Sequence, residues 1–380
     1  MKGNKGEWSE LYVLMTLLAE GKLSQSDIHL VRDPENIYQI TKAYKSESFY
    51  NLEFDREDDI KVYKINEGKE FIASYTIDNF KEISKALLNG INTSKGKTFS
   101  IDEVENFLNE ILIKKLKADS NSKADIKLKI YDHRLAKETD LGFSIKSLLG
   151  NNSTLFNTGP GNNFIYKVIS KENIDLDKFN KDTYKPLNNI SKLTSRLVVL
   201  KNLFAELKFQ KTQSPQLWKN LKMIDGDLPE IIAFALYYRW IYRTSSLKDV
   251  SIILEDLDPL NFYNGESSEQ KLYTYKIKKF LTECAMGMTS EKPWLGEYDS
   301  FGGVIIAKND GDIVCFHIYD FNLFRNYLLD NTLFEQASTG EDEQNPGYEK
   351  TSPKKKYFYG WLYKEFDELF IKINLQIRFK

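Results

Sequence analysis

The 380-residue sequence predicts a mixed α/β fold with a helical insertion in its middle and a β-rich C-terminal part. Three patterns carry this expectation. Paired segments of period-two apolar alternation occur around residues 59–76 and 125–147. Between about 175 and 283 the apolar spacing becomes helical, as in SRLVVLKNLFAEL and PEIIAFALYYRWIY. From Gly302 the strand pattern returns.

Each element follows from local sequence. Gly6 to Glu20 sets Leu11, Leu14, Leu17 and Leu18 at helical spacing, with Gly21 placed to cap the C-terminus. DIKVYKI and EFIASYTI form a strand pair turned at Glu67-Gly68. Amphipathic helices are expected over 77–89 and 101–116, the second opened by Ser100 and Glu103 in capping-box spacing. Lys117–Lys123 is polar and reads as a loop. The strand pair within Asp125–Ser147 leads into a Gly/Asn/Ser-rich segment, Gly150–Asn163, and then the strand FIYKVI. Pro259 and the polar stretch 264–268 interrupt the helical region. GVIIAKNDGDIVCFHIY reads as a hairpin turned at Asn309-Asp310-Gly311. A short helix at 321–329, a polar loop at 335–356 and a last strand pair complete the chain. These elements suggest a core at 1–170, a mainly helical region at 171–290 and a β-rich region at 291–380.

Composition excludes several classes. Hydrophobic residues at 41% and aromatics at 13% are enough for a packed interior, so general disorder is ruled out. Net charge is −2, from 53 basic and 55 acidic residues, which rules out a globally basic nucleic-acid binder but leaves room for a local basic cleft. Cys284, Cys315, His29, His133 and His317 are too few and too scattered for a zinc site or a disulfide framework. Glu7 and Glu10 interrupt the first apolar run, so it is no signal peptide, and no apolar run approaches a membrane span. A soluble, cytoplasmic protein is the expectation.

The segment DIKLKIYDHRLAKETDLGFSIKS, Asp125–Ser147, carries the candidate chemistry. On its second strand Ser144 and Lys146 share one face, while Phe143 and Ile145 take the other. Asp132 closes the first strand, where sites tend to lie. A carboxylate, an ammonium and a divalent cation are what phosphodiester hydrolysis needs: the cation stabilises transition-state charge and lowers the pKa of the attacking water. Mg²⁺ takes carboxylate and water oxygens, so Asp132 is the candidate metal-binding acid and Lys146 the group holding water or phosphate. Ser144 stands where many such sites have a second acid. Glu7 and Glu10 are the first candidates to supply it, with Glu138 and Asp140 behind them. Taken singly, these residues also fit a solvated hairpin, a turn aspartate and the polar face of a helix.

Three blocks of sequence resemble the HpaII family of type II restriction endonucleases. They are Gly3-Asn4-Lys5-Gly6-Glu7-Trp8-Ser9-Glu10, the run Gly142-Phe143-Ser144-Ile145-Lys146-Ser147 with Gly150, Ser153-Thr154-Leu155, Asn157 and Asn163-Phe164 after it, and Asn374-Leu375-Gln376-Ile377-Arg378-Phe379. They fall at the start, middle and end, so the likeness covers nearly the whole chain. It implies a PD-(D/E)xK-type nuclease core, a mixed sheet flanked by helices, with Mg²⁺-dependent cleavage of double-stranded DNA at the palindrome CCGG. Asp132 then matches the metal-binding acid, and Ser144 with Lys146 matches the (D/E)xK strand, Ser144 departing from the acid. Tyr131, where the pattern has proline, is a second departure.

A CCGG reader must address guanine acceptors and cytosine amino donors in the major groove, and phosphate contacts come from small polar side chains and amides. Ser153, Thr154, Asn157 and Asn163 follow the lysine strand and are candidate DNA contacts. Lys354 and Lys355 are candidates in the later loop, within a β-rich region suited to DNA recognition. A palindrome suits a homodimer, and the implied cellular companion is a DNA methyltransferase, without a physical complex. Two other readings are a non-catalytic DNA-binding protein on a degraded nuclease fold and a repair-type nuclease.

Overall fold

A computed structural model of the protein describes residues 1–116, 124–134, 136–150, 154–183, 190–297, 301–336 and 359–380. The chain opens with α1 (Lys5–Glu20), β1 (Lys22–Ser26), β2 (Arg32–Ser46), β3 (Asn51–Arg56), β4 (Asp59–Ile65), β5 (Lys69–Thr76), α2 (Ile77–Thr93), α3 (Asp102–Glu110), β6 (Ile126–Asp132) and β7 (Lys137–Ser147). The middle forms β8 (Thr154–Phe156), β9 (Asn163–Ile169), α4 (Leu176–Asp182), α5 (Lys192–Asn202), β10 (Glu206–Thr212), α6 (Pro215–Ile224), α7 (Leu228–Ile241), α8 (Leu247–Leu257) and α9 (Leu272–Ala285). The last part forms β11 (Phe301–Ala307), β12 (Ile313–His317), α10 (Phe321–Asn331), β13 (Thr332–Phe334), β14 (Leu362–Glu365), β15 (Glu368–Asn374) and β16 (Ile377–Phe379).

Two compact units result. The first comprises Met1–Ser153 and Glu297–Phe324; the second comprises Thr154–Gly296 and Arg325–Lys380. The division differs from the expected boundaries: β9 groups with the helical region, and the segment 291–380 is shared between the units.

The first unit is built on a mixed sheet, ordered β1-β12-β11-β7-β6-β2-β3-β4-β5. β11 runs parallel to β7 and β1 parallel to β12, and the other neighbours are antiparallel. Because β1 also pairs with β2, the six strands β1, β12, β11, β7, β6 and β2 close into a barrel. Gly303 makes one strand contact possible. Its φ is 144°, and a Cβ there would lie 2.1 Å from the Phe316 carbonyl oxygen on β12, so only glycine lets β11 and β12 approach this closely.

α1 packs on this sheet through Trp8, Leu11, Leu14, Met15 and Leu18, all nearly fully buried together with Ile126, Leu128, Phe143 and Ile145. Each such side chain contributes roughly 1.5–3 kcal/mol on burial. Gly21 ends α1 in the left-handed conformation, φ 67°, and its amide donates to the Leu17 carbonyl at 2.8 Å. Thr16 shares a 2.6 Å hydrogen bond with Ser84, fixing α1 against α2. The expected cap on α3 is absent: Ile101 is its N-cap, without a side-chain hydrogen bond, and the helix ends at Glu110 rather than 116.

The second unit packs α4–α9 with a sheet ordered β10-β9-β15-β14 and a smaller one ordered β13-β16-β8. β10 interrupts the expected helical run. Among the described residues no helix is long and apolar enough to cross a membrane.

Candidate active site

α1 is started by its own polar residues. The Asn4 side chain accepts from the Glu7 amide at 3.0 Å, and the Glu7 carboxylate accepts from the Asn4 amide at 2.9 Å. This reciprocal cap satisfies two otherwise unpaired backbone donors. The Glu7 carboxylate thereby holds the helix start. Glu10, nearly one turn further on, lines a different surface.

The hairpin β6–β7 decides which acid meets Lys146. Its register pairs Asp132 with Lys137 and Ile126 with Phe143. Asp132 therefore stands beside a residue nine positions from Lys146, roughly 30 Å away at about 3.3 Å per residue. The expectation that Asp132 and Lys146 share one site is wrong for this reason: an antiparallel pair sets the end of its first strand against the start of its second. Glu138 and Asp140 are also at least roughly 20 Å from Lys146 by the same spacing.

Asp125 takes the position that Asp132 does not. The Asp125 amide donates to the Phe143 carbonyl at 3.0 Å, and its Oδ2 accepts from the Ile145 amide at 2.7 Å. This places its carboxylate beside Ser144, which is buried, and within electrostatic range of the Lys146 ammonium. Burial pushes the Lys146 pKa below the ordinary lysine value, and the Asp125 and Glu10 carboxylates draw it back up. A cavity of about 20 Å³ is lined by Glu10, Leu11, Leu14, Tyr44, Lys45, Leu116, Asp125 and Ile126. That is room for one water-sized occupant. Ser147 donates to Ser9 at 2.8 Å, and Ser9 to the Lys5 carbonyl at 2.7 Å, so the end of β7 is tied to the turn of α1 that presents Glu10.

The donor set suits a small hard cation. Two carboxylates with space for a single ion match Mg²⁺, which commonly takes one or two carboxylates and completes its shell with water and substrate phosphate. Among the described residues no group of three His, Cys, Asp or Glu side chains is arranged to hold a metal, so Glu10 and Asp125 would be the protein's share.

Asp132 serves another purpose. It is 1% exposed, accepts from the Arg134 amide at 2.9 Å, and its carboxylate takes a hydrogen bond from the Tyr319 hydroxyl. Arg134 pairs with Asp320 at 2.9 Å. His317, fully buried, stacks on Tyr38 at 4.7 Å and accepts from the Tyr319 amide through Nδ1 at 3.3 Å. Burial lowers the His317 pKa to about 4. These groups form a polar cluster, with Asp132 and His317 buried and Arg134 and Tyr319 at the surface, that fastens the far end of the hairpin to the segment after β12.

A sequence profile of the HpaII restriction endonucleases matches residues 4–379. The chain belongs to the HpaII restriction endonuclease family. It is also 33% identical over 383 residues to the type II restriction enzyme HpaII of Haemophilus parainfluenzae, with 99% of this chain and 98% of that protein covered. No solved structure matches the chain. It is a type II restriction enzyme, a site-specific deoxyribonuclease whose substrate is DNA, and enzymes of this type generally use a divalent metal.

Two residues from the sequence blocks that carry the resemblance, Asn163 and Asn374, are held inside the second unit. Asn374 donates to the Gly159 carbonyl at 2.9 Å and to Asn163 Oδ1 at 2.7 Å, and accepts from Thr158 at 2.7 Å. Asn163, 1% exposed, also donates to Gln213 at 2.9 Å. The expected DNA contact at Asn163 is thus corrected: its side chain is spent inside the second unit. Thr154 and Asn157 are exposed. Ser153, Lys354 and Lys355 lie outside the described residues.

Asp125 and Lys45 line the candidate site but were not singled out by the sequence. The signal for Asp125 was present, since the residue opening the first strand of a hairpin faces the end of the second. Lys45 carried no such signal, because it enters the site from a strand more than 75 positions earlier in the chain.

Proposed function

We propose that this enzyme cuts double-stranded DNA at CCGG with Mg²⁺, at the cavity lined by Glu10 and Asp125, with Lys146 beside it. Two carboxylates, Glu10 and Asp125, line one water-sized space, and the Lys146 ammonium lies within electrostatic range of both; this supports the reading. On it, the first unit is a PD-(D/E)xK-type core in which Asp125 is the first acid, Glu10 from α1 replaces the acid missing at Ser144, and Lys146 is the strand lysine. A bound Mg²⁺ would supply charge neutralisation at the phosphate and a more acidic water. Glu10 and Asp125 would hold that ion. Lys146 donates to the attacking water and to a non-bridging phosphate oxygen. The neighbouring carboxylates keep its ammonium charged at the moment charge builds on the phosphate. In-line attack then expels the 3′ oxygen and leaves a 5′ phosphate.

Thr154, Asn157, Ser153, Lys354 and Lys355 are proposed to touch the DNA. Small polar groups suit backbone contacts, and the two lysines suit phosphates. A homodimer would match the two-fold symmetry of the site. In the cytoplasm a companion methyltransferase, without a stable complex, would protect the host's own copies.

The deciding experiment is digestion of a DNA of known sequence, with and without Mg²⁺, followed by sequencing of the fragment ends. Discrete fragments ending within CCGG, lost on chelation, are expected. Cutting at another fixed sequence refutes the specificity. A smear favours a repair-type nuclease, and retarded but intact DNA favours a binder without catalysis.

A further inference from the structure

Lys45, near the end of β2, pairs across the sheet with Leu52, which is fully buried. It shares the small cavity with Leu11, Leu14 and Leu116, besides Glu10 and Asp125. An ammonium among leucines costs several kcal/mol in desolvation unless it is well paired, so packing alone would favour an apolar residue here. Its contacts are specific: Nζ donates to the Leu116 carbonyl at 3.4 Å and lies 3.9 Å from Glu47 Oε1.

Glu47 is stranger still. Its side chain is 1% exposed, and neither carboxylate oxygen has a hydrogen-bond partner of good geometry. The Lys45 ammonium and the amides of Lys114 and Lys115 supply the positive potential around it. Lys45 therefore stands with Glu47 3.9 Å away on one side and, on the other, the cavity that it lines together with Glu10. The residues Glu47, Lys45 and Glu10 thus follow one another from the buried carboxylate to the cavity wall.

We propose that Lys45 is a positioning residue for DNA cleavage, an ammonium braced by Glu47 that holds the Glu10 carboxylate toward the cavity. The inference rests on the reading that this cavity is where the phosphodiester is cut. Lys45 acts through Glu10 rather than on the DNA.

The test uses the Lys45→Met/Glu47→Gln double variant of the whole protein, which keeps side-chain volume and strands no buried charge, beside Lys45→Arg. Single-turnover cleavage by the double variant should fall at least thirtyfold, with DNA affinity in Ca²⁺ changed less than threefold. Glu10→Gln, damaging in the native background, should then cost less than threefold more. Mn²⁺ binding without DNA should weaken at least threefold, because Glu10 no longer points at the ion; Lys45→Arg should recover part of both losses. Cleavage within threefold of native, full additivity with Glu10→Gln, or unchanged or tighter Mn²⁺ binding would each overturn the proposal. Asp125→Asn and Lys146→Met separate the two ideas. If they cut normally the cavity is not the site, whereas if they are inactive while the double variant cuts normally, only the role of Lys45 falls.

Discussion

Exchanging the roles of two aspartates at opposite ends of one hairpin gives the sharpest prediction. Asp125→Asn keeps an oxygen to accept from the Ile145 amide, whose bond to Asp125 is 2.7 Å, but removes one of the two carboxylates in the cavity. A unit charge pair about 4 Å apart at a partly buried site is worth about 4 kcal/mol. At about 1.4 kcal/mol per decade, that is roughly a thousandfold in rate. Asp132→Ala leaves the cavity intact but strands the Arg134 amide and the Tyr319 hydroxyl. Both donors lie at the surface and can turn to water, so each hydrogen bond lost costs about 0.5–1.5 kcal/mol, which for a unit of this size lowers the melting temperature by roughly 3–10 °C. The assays are single-turnover cleavage of a duplex carrying one site at saturating Mg²⁺, and thermal melting of each variant. Asp125→Asn should melt normally and cut at least a thousandfold more slowly. Asp132→Ala should melt early and, while folded, cut within threefold of the native rate. A folded Asp132→Ala enzyme without activity, or an Asp125→Asn enzyme at full rate, would refute the reassignment.

Four further outcomes follow from the same geometry. Lys146→Met should abolish cutting by about three decades while a gel shift in Ca²⁺ still shows DNA binding. Glu7→Ala should lose about 1 kcal/mol of stability in urea with no change in cutting rate, whereas Glu10→Gln should keep its stability and cut at least a hundredfold more slowly. Asn374→Ala removes three hydrogen bonds within the second unit and should cost about 3 kcal/mol, read from the urea midpoint. His317, with its pKa lowered to about 4 by burial, stays neutral when folded but takes a proton near pH 6.5 when unfolded. The stability it permits is therefore full above pH 6.5 and is lost as pH falls toward 4. Urea titrations at pH 7, 5.5 and 4.5 should show a shallower acid loss for His317→Asn.

Much of the fold could be read directly from the residues. The leucine spacing of α1, the hairpins β4–β5 and β11–β12 and the strand pair β6–β7 all follow from periodicity and turn chemistry. β2 could not be read this way. Its exposed and buried positions do not alternate cleanly, because different stretches of it pair with β1, β3 and β6. The site was half legible. Strand alternation pointed to Lys146 and Ser144, but the carboxylate that the β6–β7 register brings to their end of the hairpin is Asp125, not Asp132. Asp132 drew attention because it closes β6 next to a turn, a local cue. Asp125 becomes meaningful only once the two strands are folded back on each other. Lys45 and Glu47 become meaningful only when a distant strand is laid against α1. Local patterns report periodicity well and convergence poorly, because convergence is fixed by tertiary pairing.

The discontinuity of the first unit bears on when the enzyme becomes active. β7 finds its neighbour β11, and β1 its neighbour β12, only in residues 301–317. A nascent polypeptide still short of that point has β7 bare along one edge and no closed barrel to hold Lys146 against α1. On the proposed site, cutting must wait until residues 301–317 have been made, so half-built copies would spare the chromosome of the cell that makes them.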